Sequence, residues 1–221
     1  MKDILRYIRL GSWMRLSRLG ERIGWEWLMY NPGVFEHFHQ GATAAAPYLA
    51  DAVLGEIPGI SSLVDVGCGT GAMAAEFKRR GVRVLGLEHN AKGRRWADRA
   101  GVPVRPFDLR VEGGLSPADG PFDLAMSTEV AEHLPESLAD RFVDYLVSCD
   151  AAHVLLTAAH PGQGGTGHIN EQPQSYWIEK FRSRGWSHDP ELSGRVSARL
   201  ESLPMSKFLA TNLMMFQRPQ T

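Results

Sequence analysis

The run Leu63-Val-Asp-Val-Gly-Cys-Gly-Thr-Gly71 places three glycines, Gly67, Gly69 and Gly71, straight after a continuous apolar segment and straight before an amphipathic one. Lacking Cβ atoms, such residues let the backbone turn sharply and come close to a bound molecule. Asp65 precedes the loop, and Glu88 stands 21 residues after Gly67, at the end of the next apolar run. A carboxylate there is placed to accept hydrogen bonds from both ribose hydroxyls of a nucleoside. The glycine spacing is G-x-G-x-G rather than G-x-G-x-x-G, and the loop has no Lys or Arg to meet a phosphate. A pyrophosphate ligand is therefore disfavoured.

Two later stretches carry groups that move protons. Ser127-Thr-Glu129-Val-Ala-Glu132-His133-Leu-Pro135 follows the fourth apolar run and packs two acids and a histidine into one short turn. Imidazole titrates near neutrality, so His133 could take a proton from any acceptor within hydrogen-bond reach. After the fifth run comes His160-Pro-Gly-Gln-Gly-Gly-Thr-Gly-His168-Ile-Asn170-Glu171-Gln-Pro-Gln-Ser-Tyr176-Trp177. That loop is rich in glycine and crowded with hydrogen-bonding side chains, which ordinary linkers are not. His168, Asn170 and Tyr176 are its candidates for acceptor recognition or proton handling, and its glycines would permit movement over a bound substrate.

The elements that must position these groups are legible from Ser61 onward, where short apolar runs alternate with amphipathic segments as in a parallel sheet flanked by helices. Strands are expected at 62–66, 82–87, 102–107, 122–128, 152–159 and 207–217. Helices are expected at 71–80, ending at Gly81, and at 91–100, capped by Asn90 and ending at Gly101, with another beginning at Pro173. Pro103 and Pro106 lack ladder donors, so the third strand belongs at a sheet edge. Residues 1 to 60 read as helical. Leu5, Ile8, Leu16, Leu19, Ile23 and Trp27 form an apolar stripe, Asn31-Pro32-Gly33 marks a turn, and a second helical stretch covers Ala42 to Leu54 before Pro58-Gly59.

Composition narrows the class of protein. The 221 residues are 43% hydrophobic and 22% charged, enough for one sizeable core and incompatible with disorder. Lys+Arg number 24 against 25 Asp+Glu, which argues against a nucleic-acid coating surface and leaves no macromolecular recognition domain in view. Two cysteines, Cys68 and Cys149, give no disulfide framework and point to a reducing compartment, the cytoplasm by default. No apolar run approaches the ~20 residues of a membrane span. Arg6, Arg9, Arg15, Arg18 and Arg22 interrupt the N-terminus where a signal peptide would be continuously apolar.

Val-Asp-Val-Gly-Cys-Gly-Thr-Gly, Gly-Leu-Glu88, Phe-Asp108-Leu and Phe-Asp-Leu-Ala-Met-Ser-Thr-Glu-Val-Ala-Glu-His-Leu-Pro resemble the successive motifs of class I S-adenosylmethionine-dependent methyltransferases, over residues 61 to 217. The resemblance implies an α/β, Rossmann-like doubly wound fold with a mostly parallel seven-stranded sheet at 61–221, preceded by a helical cap or lid at 1–60. It implies S-adenosyl-L-methionine as cofactor, held by Asp65, Gly67, Cys68, Gly69, Gly71, Glu88, His89, Asp108, Leu109 and Glu129. Glu88 would take the ribose and Asp108 the adenine amino group. The catalytic candidates are His133, His168, Asn170 and Tyr176. The expected reaction is methyl transfer to an O or N atom of a small polar metabolite, by a monomer or homodimer with no nucleic-acid or membrane partner. Alternatives are attack at another carbon beside the sulfonium, including cyclisation of the cofactor with release of methylthioadenosine, and a non-catalytic cofactor-binding subunit. Glu-x-x-Glu-His also resembles the divalent-ion ligands of certain small-RNA and ubiquinone-pathway O-methyltransferases, with His160 as a further donor. The expectation adopted is that no metal is bound.

Overall fold

The computed structural model describes residues 32–111, 120–201 and 207–218. Helix α1 (Pro32–Glu56) leads into β1 (Ser62–Val66), α2 (Ala72–Arg79), β2 (Arg83–Glu88), α3 (Ala91–Arg99), β3 (Val104–Pro106) and β4 (Phe122–Thr128). Two 3-10 turns, Ala131–His133 and Glu136–Leu138, precede α4 (Ala139–Ser148) and β5 (Ala151–Thr157). The chain closes with α5 (Gln174–Arg182), β6 (Ser187–His188), α6 (Pro190–Glu201), α7 (Lys207–Asn212) and β7 (Leu213–Gln217).

The seven strands form one sheet in the order β3-β2-β1-β4-β5-β7-β6. β1 to β5 run parallel, while β7 is antiparallel to both β5 and β6. β3 is an edge strand, as Pro103 and Pro106 require. The order reverses between β1 and β4, so a crevice opens at the carboxyl ends of those two strands.

Alternation along each strand feeds two cores. Leu63, Leu124, Met126, Leu155 and Met215 face a layer containing Ala45, Ala46, Leu49 and Val53 of α1, Phe77 of α2 and Val196 of α6. Val64, Ala125, Val154, Leu156, Met214 and Phe216 face the opposite layer with Phe142, Trp177 and Phe181. Helix α1 thus packs directly on the sheet.

Three expectations need correction. Residues 207–217 are not one strand: Lys207–Asn212 is helical, and only Leu213–Gln217 joins the sheet. Pro32 and Gly33, expected in a turn, already belong to α1, which runs unbroken to Glu56 through Pro47 and so begins well before the Ala42 expected for that helical stretch. Proline at a first helical position has no amide hydrogen to miss, and its fixed φ suits a helix. Third, no apolar run marked a strand at Ser187–His188, which as β6 completes the seven-stranded sheet that the resemblance implied. The apolar stripe from Leu5 to Trp27 lies outside the described residues.

Candidate active site

The glycine loop follows β1 as three left-handed turns, with φ of 80° at Gly67, 53° at Gly69 and 73° at Gly71. Two positions are also sterically closed. A Cβ at Gly67 would sit 2.6 Å from Val130 Cγ2, and one at Gly71 would sit 2.8 Å from the Ala97 Cβ. The Gly67 and Cys68 amides donate to the Leu87 carbonyl at 2.8 and 3.0 Å, which ties the loop to the end of β2.

Glu88 ends β2, nearly buried behind the loop. Its Oε2 accepts from the Gly69 amide at 2.8 Å and its Oε1 from the Asn90 amide at 2.6 Å. Each carboxylate oxygen has a second lone pair, so the two backbone donors orient the group without exhausting it. His89 Nδ1 lies 3.4 Å from Oε1. Asp65 is buried on β1, and burial, with Glu88 nearby, pushes its carboxyl up to about 7. Beyond β3, Arg110 closes on Asp108 with Nη2 at 2.9 Å, and that hydrogen-bonded pairing holds the Asp108 carboxyl down at about 2. Leu109 beside it is buried.

A crevice of ≈ 510 Å³ lies against this loop. Gly67, Cys68, Gly69 and Thr70 form one wall, and Thr128, Glu129 and His133 form another at the end of β4. Phe35, Phe38 and Ala42 of α1, with Leu209 of α7, supply an apolar side, and Gln163 to Thr166 with His168 form the rim. Of the residues expected from sequence, the crevice collects Gly67, Cys68, Gly69, Glu129, His133 and His168. Glu88 stands behind that wall through its bond to Gly69, whereas His89, Asp108 and Leu109 lie outside the lining.

Asn170 and Tyr176 are not brought to the crevice. The Asn170 amide donates to the Glu132 carbonyl at 3.0 Å and its side chain is buried, Oδ1 accepting from Gln172 at 2.9 Å and Nδ2 without a partner. Tyr176 falls in the first turn of α5, edge-on to Trp177 and under the Lys180 ammonium at 4.7 Å from its centroid. The helix that starts at Gln174 turns it toward the core layer.

The acids and histidines after β4 interlock with the loop after β5. Glu129 has φ of 52°, its amide donates to Thr157 Oγ1 at 2.9 Å, and its Oε1 accepts from Asn212 at 3.1 Å. Glu132 is fully buried, and neither carboxyl oxygen meets a donor. Burial first, and the neighbouring Glu129 second, raise its carboxyl well above the usual range. The His133 and His168 rings meet edge-on at 5.0 Å. Ligand-capable atoms of Glu132, His133 and His168 all lie within 4.8 Å of one another. His160, expected as a further donor, is exposed and outside the crevice lining, its Nδ1 beside the Pro161 carbonyl. The third side chain of this cluster is therefore His168, carried back by the glycine turns.

Sequence reading expected a cap from residues 1–60 without naming Phe35, Phe38 or Ala42 as its lining, and it missed Glu171. Phe35, Phe38 and Ala42 recur at helical spacing, which marks a common face but not what it faces.

Residues 37–157 match the family model described as "Methyltransferase domain". A methyltransferase of uncharacterised function from Mycobacterium leprae is 40% identical over 75 residues, a stretch spanning 34% of this chain and only 28% of that relative. A ubiquinone biosynthesis O-methyltransferase from Cereibacter sphaeroides is 27% identical over 191 residues, covering 76% of this chain and 72% of the relative. Among solved structures, an amino pentose methyltransferase from Micromonospora echinaspora with S-adenosylmethionine bound superimposes with a TM-score of 0.60 at 18% identity, covering 84% of this chain and 97% of its own.

Proposed function

The chain belongs to the methyltransferase domain family, with the class I S-adenosylmethionine-dependent fold, and on that premise we propose that it transfers the methyl group of S-adenosylmethionine to an oxygen or nitrogen atom of a small molecule. One observation carries the reading. The glycine loop backed by Glu88 forms one wall of a crevice that also holds His133, His168 and His37 and an apolar surface from α1 and α7. Methyl transfer is an in-line displacement at the sulfonium carbon, so positioning supplies most of the acceleration and one base suffices for a protonated nucleophile. Glu88 and the loop take the nucleoside and methionine parts, while Asp108 and Leu109 take the adenine. His168 or His133 receives the proton of an acceptor seated against Phe35, Phe38 and Leu209. Of the helical cap expected over residues 1–60, the part that lines the crevice is α1; residues 1–31 lie outside the described residues. A reducing cytoplasmic setting accords with two free, buried cysteines, and among the described residues no helix is long and apolar enough to cross a membrane.

Calorimetry with S-adenosylmethionine and S-adenosylhomocysteine, followed by incubation with metabolite pools, tests this. Single-site binding and acceptor-dependent release of S-adenosylhomocysteine are expected. Methylthioadenosine accumulating without any acceptor would replace methyl transfer by attack at another carbon.

A second reading is favoured by the unpartnered Glu132 carboxyl beside two imidazoles. Such a group is either protonated or neutralised by a cation, and Glu132, His133 and His168 offer a mixed O and N donor set suited to a divalent ion. A bound ion would polarise an acceptor hydroxyl there. Under the metal-free reading, dialysis against EDTA leaves turnover unchanged. Loss of turnover restored by manganese or magnesium would transfer the site to the second reading.

A further inference from the structure

The loop between β5 and α5 is fastened at one end by backbone bonds and at the other by a single side chain. Its descending limb is pinned to the turn after β4, because the Ile169 and Asn170 amides both donate to the Glu132 carbonyl at 2.9 and 3.0 Å. Its ascending limb is gathered by Glu171. The Gly162 amide donates to Glu171 Oε2 at 2.8 Å and the Gly164 amide to Oε1 at 2.7 Å. The same Oε1 lies 3.0 Å from His168 Nδ1.

Three donors on one carboxylate decide where the imidazole hydrogen sits. An ionised carboxylate only accepts, so a hydrogen bond at 3.0 Å requires the hydrogen on Nδ1. In the neutral ring Nε2 then carries the lone pair. That nitrogen is packed over Gly165, where a Cβ would stand 2.2 Å from it, so only glycine leaves the ring its place. His133 is set the same way by a different acceptor, the Gly167 carbonyl at 3.0 Å from its Nδ1.

We propose that Glu171 is the positioning residue of this site: its carboxylate fixes His168 as the Nδ1–H form, orients the ring through the gathered glycine turns, and so leaves the lone pair on Nε2, beside Gly165. This rests on the reading of His168 as a site residue. Carboxylates orient imidazoles in this manner wherever one ring nitrogen must be committed so that the other can react. Glu171 itself lies outside the crevice lining and acts only through His168 and the loop.

The test is the ring nitrogen spectrum of the full-length protein, EDTA-dialysed and saturated with S-adenosylhomocysteine, recorded about two units above the ordinary histidine value of ~6.5 so that the rings are neutral. His168 is assigned by the signal lost in His168→Gln. In the wild type a protonated Nδ1 and a bare Nε2 are expected, and in Glu171→Ala that preference collapses and an Nε2–H form grows in. Glu171→Gln keeps the side-chain length and can present an N–H as well as an oxygen, so it gives mixed tautomers even if the alanine variant fails to fold. A wild-type His168 protonated at Nε2 overturns the proposal. So does a folded Glu171 variant in which the Gly162 and Gly164 amides shift while His168 keeps its wild-type form, since Glu171 would then be loop scaffolding alone. Failure of S-adenosylhomocysteine to bind would instead sink the methyl-transfer reading and leave the tautomer result standing.

Discussion

Replacing His168 by Ala should lower turnover on the true acceptor by ~10²-fold or more, with S-adenosylmethionine affinity nearly unchanged, since a positioned general base typically contributes 10²- to 10⁴-fold. His168 lines the crevice whereas Glu88 stands behind the glycine loop, which is why binding and turnover should separate. His133, in edge contact with it, also lines the crevice, as does His37 of α1, and a larger loss in His133→Ala would pass the role to His133. Asn170→Ala and Tyr176→Ala should behave differently from either histidine variant. Their side chains are directed away from the crevice, so their cost should appear in stability before turnover. Wild-type turnover in both histidine variants would take the base role from His133 and His168 and leave it to His37, the third imidazole of the lining, or to positioning alone.

The second large effect is expected at Glu88. Its carboxylate is already aligned by the Gly69 and Asn90 amides, so two ribose hydroxyls meet a preorganised acceptor. Charge-assisted hydrogen bonds contribute roughly 1.5 to 3 kcal/mol each, so losing two should weaken cofactor binding by roughly 10²- to 10⁴-fold in Glu88→Ala. The variant also strips the Gly69 amide of its acceptor, which loosens the loop that must touch the ligand. Asp108→Ala should cost less, because one adenine contact is at stake and Arg110 already occupies that carboxylate. Calorimetry ranks the two. Unchanged affinity in Glu88→Ala removes the ribose assignment, and a greater loss at Asp108 reverses the order.

Much of the scaffold was legible because buried parallel strands are continuous apolar runs. β1 and β4 were read to the residue, and the prolines around β3 announced an edge. Legibility failed where a short apolar run has no period to separate helix from strand. Lys207-Phe-Leu-Ala-Thr-Asn212 is one such run, and as a helix it delivers Leu209 to the crevice and Asn212 to Glu129. The cofactor loop was visible as a local motif, since glycine at positive φ has few substitutes. The opposite wall was legible only in part: the loop after β5 with His168 and a cap from residues 1–60 were expected, but which α1 residues line the crevice, and that α7 joins them, depends on packing across the sheet rather than on neighbours in sequence. Glu171 escaped for a related reason. A glutamate in a polar loop is unremarkable until the backbone brings two glycine amides and an imidazole onto its oxygens.

Helix α1 has one end in the crevice and the rest of its length on the sheet, and this constrains how the protein can be re-engineered. Phe38, half-exposed at the mouth, and Ala42, partly buried there, can change size without opening the core. Ala45, Ala46, Leu49 and Val53, one to three turns further on, are buried against β1 and β4, and enlarging or trimming them strains or hollows the fold. A library for new acceptors should therefore randomise Phe38, Ala42 and Phe208 and leave the buried Leu209 and the later turns of α1 fixed. Exchanging the whole helix between relatives would change selectivity and stability together, and the second effect would mask the first.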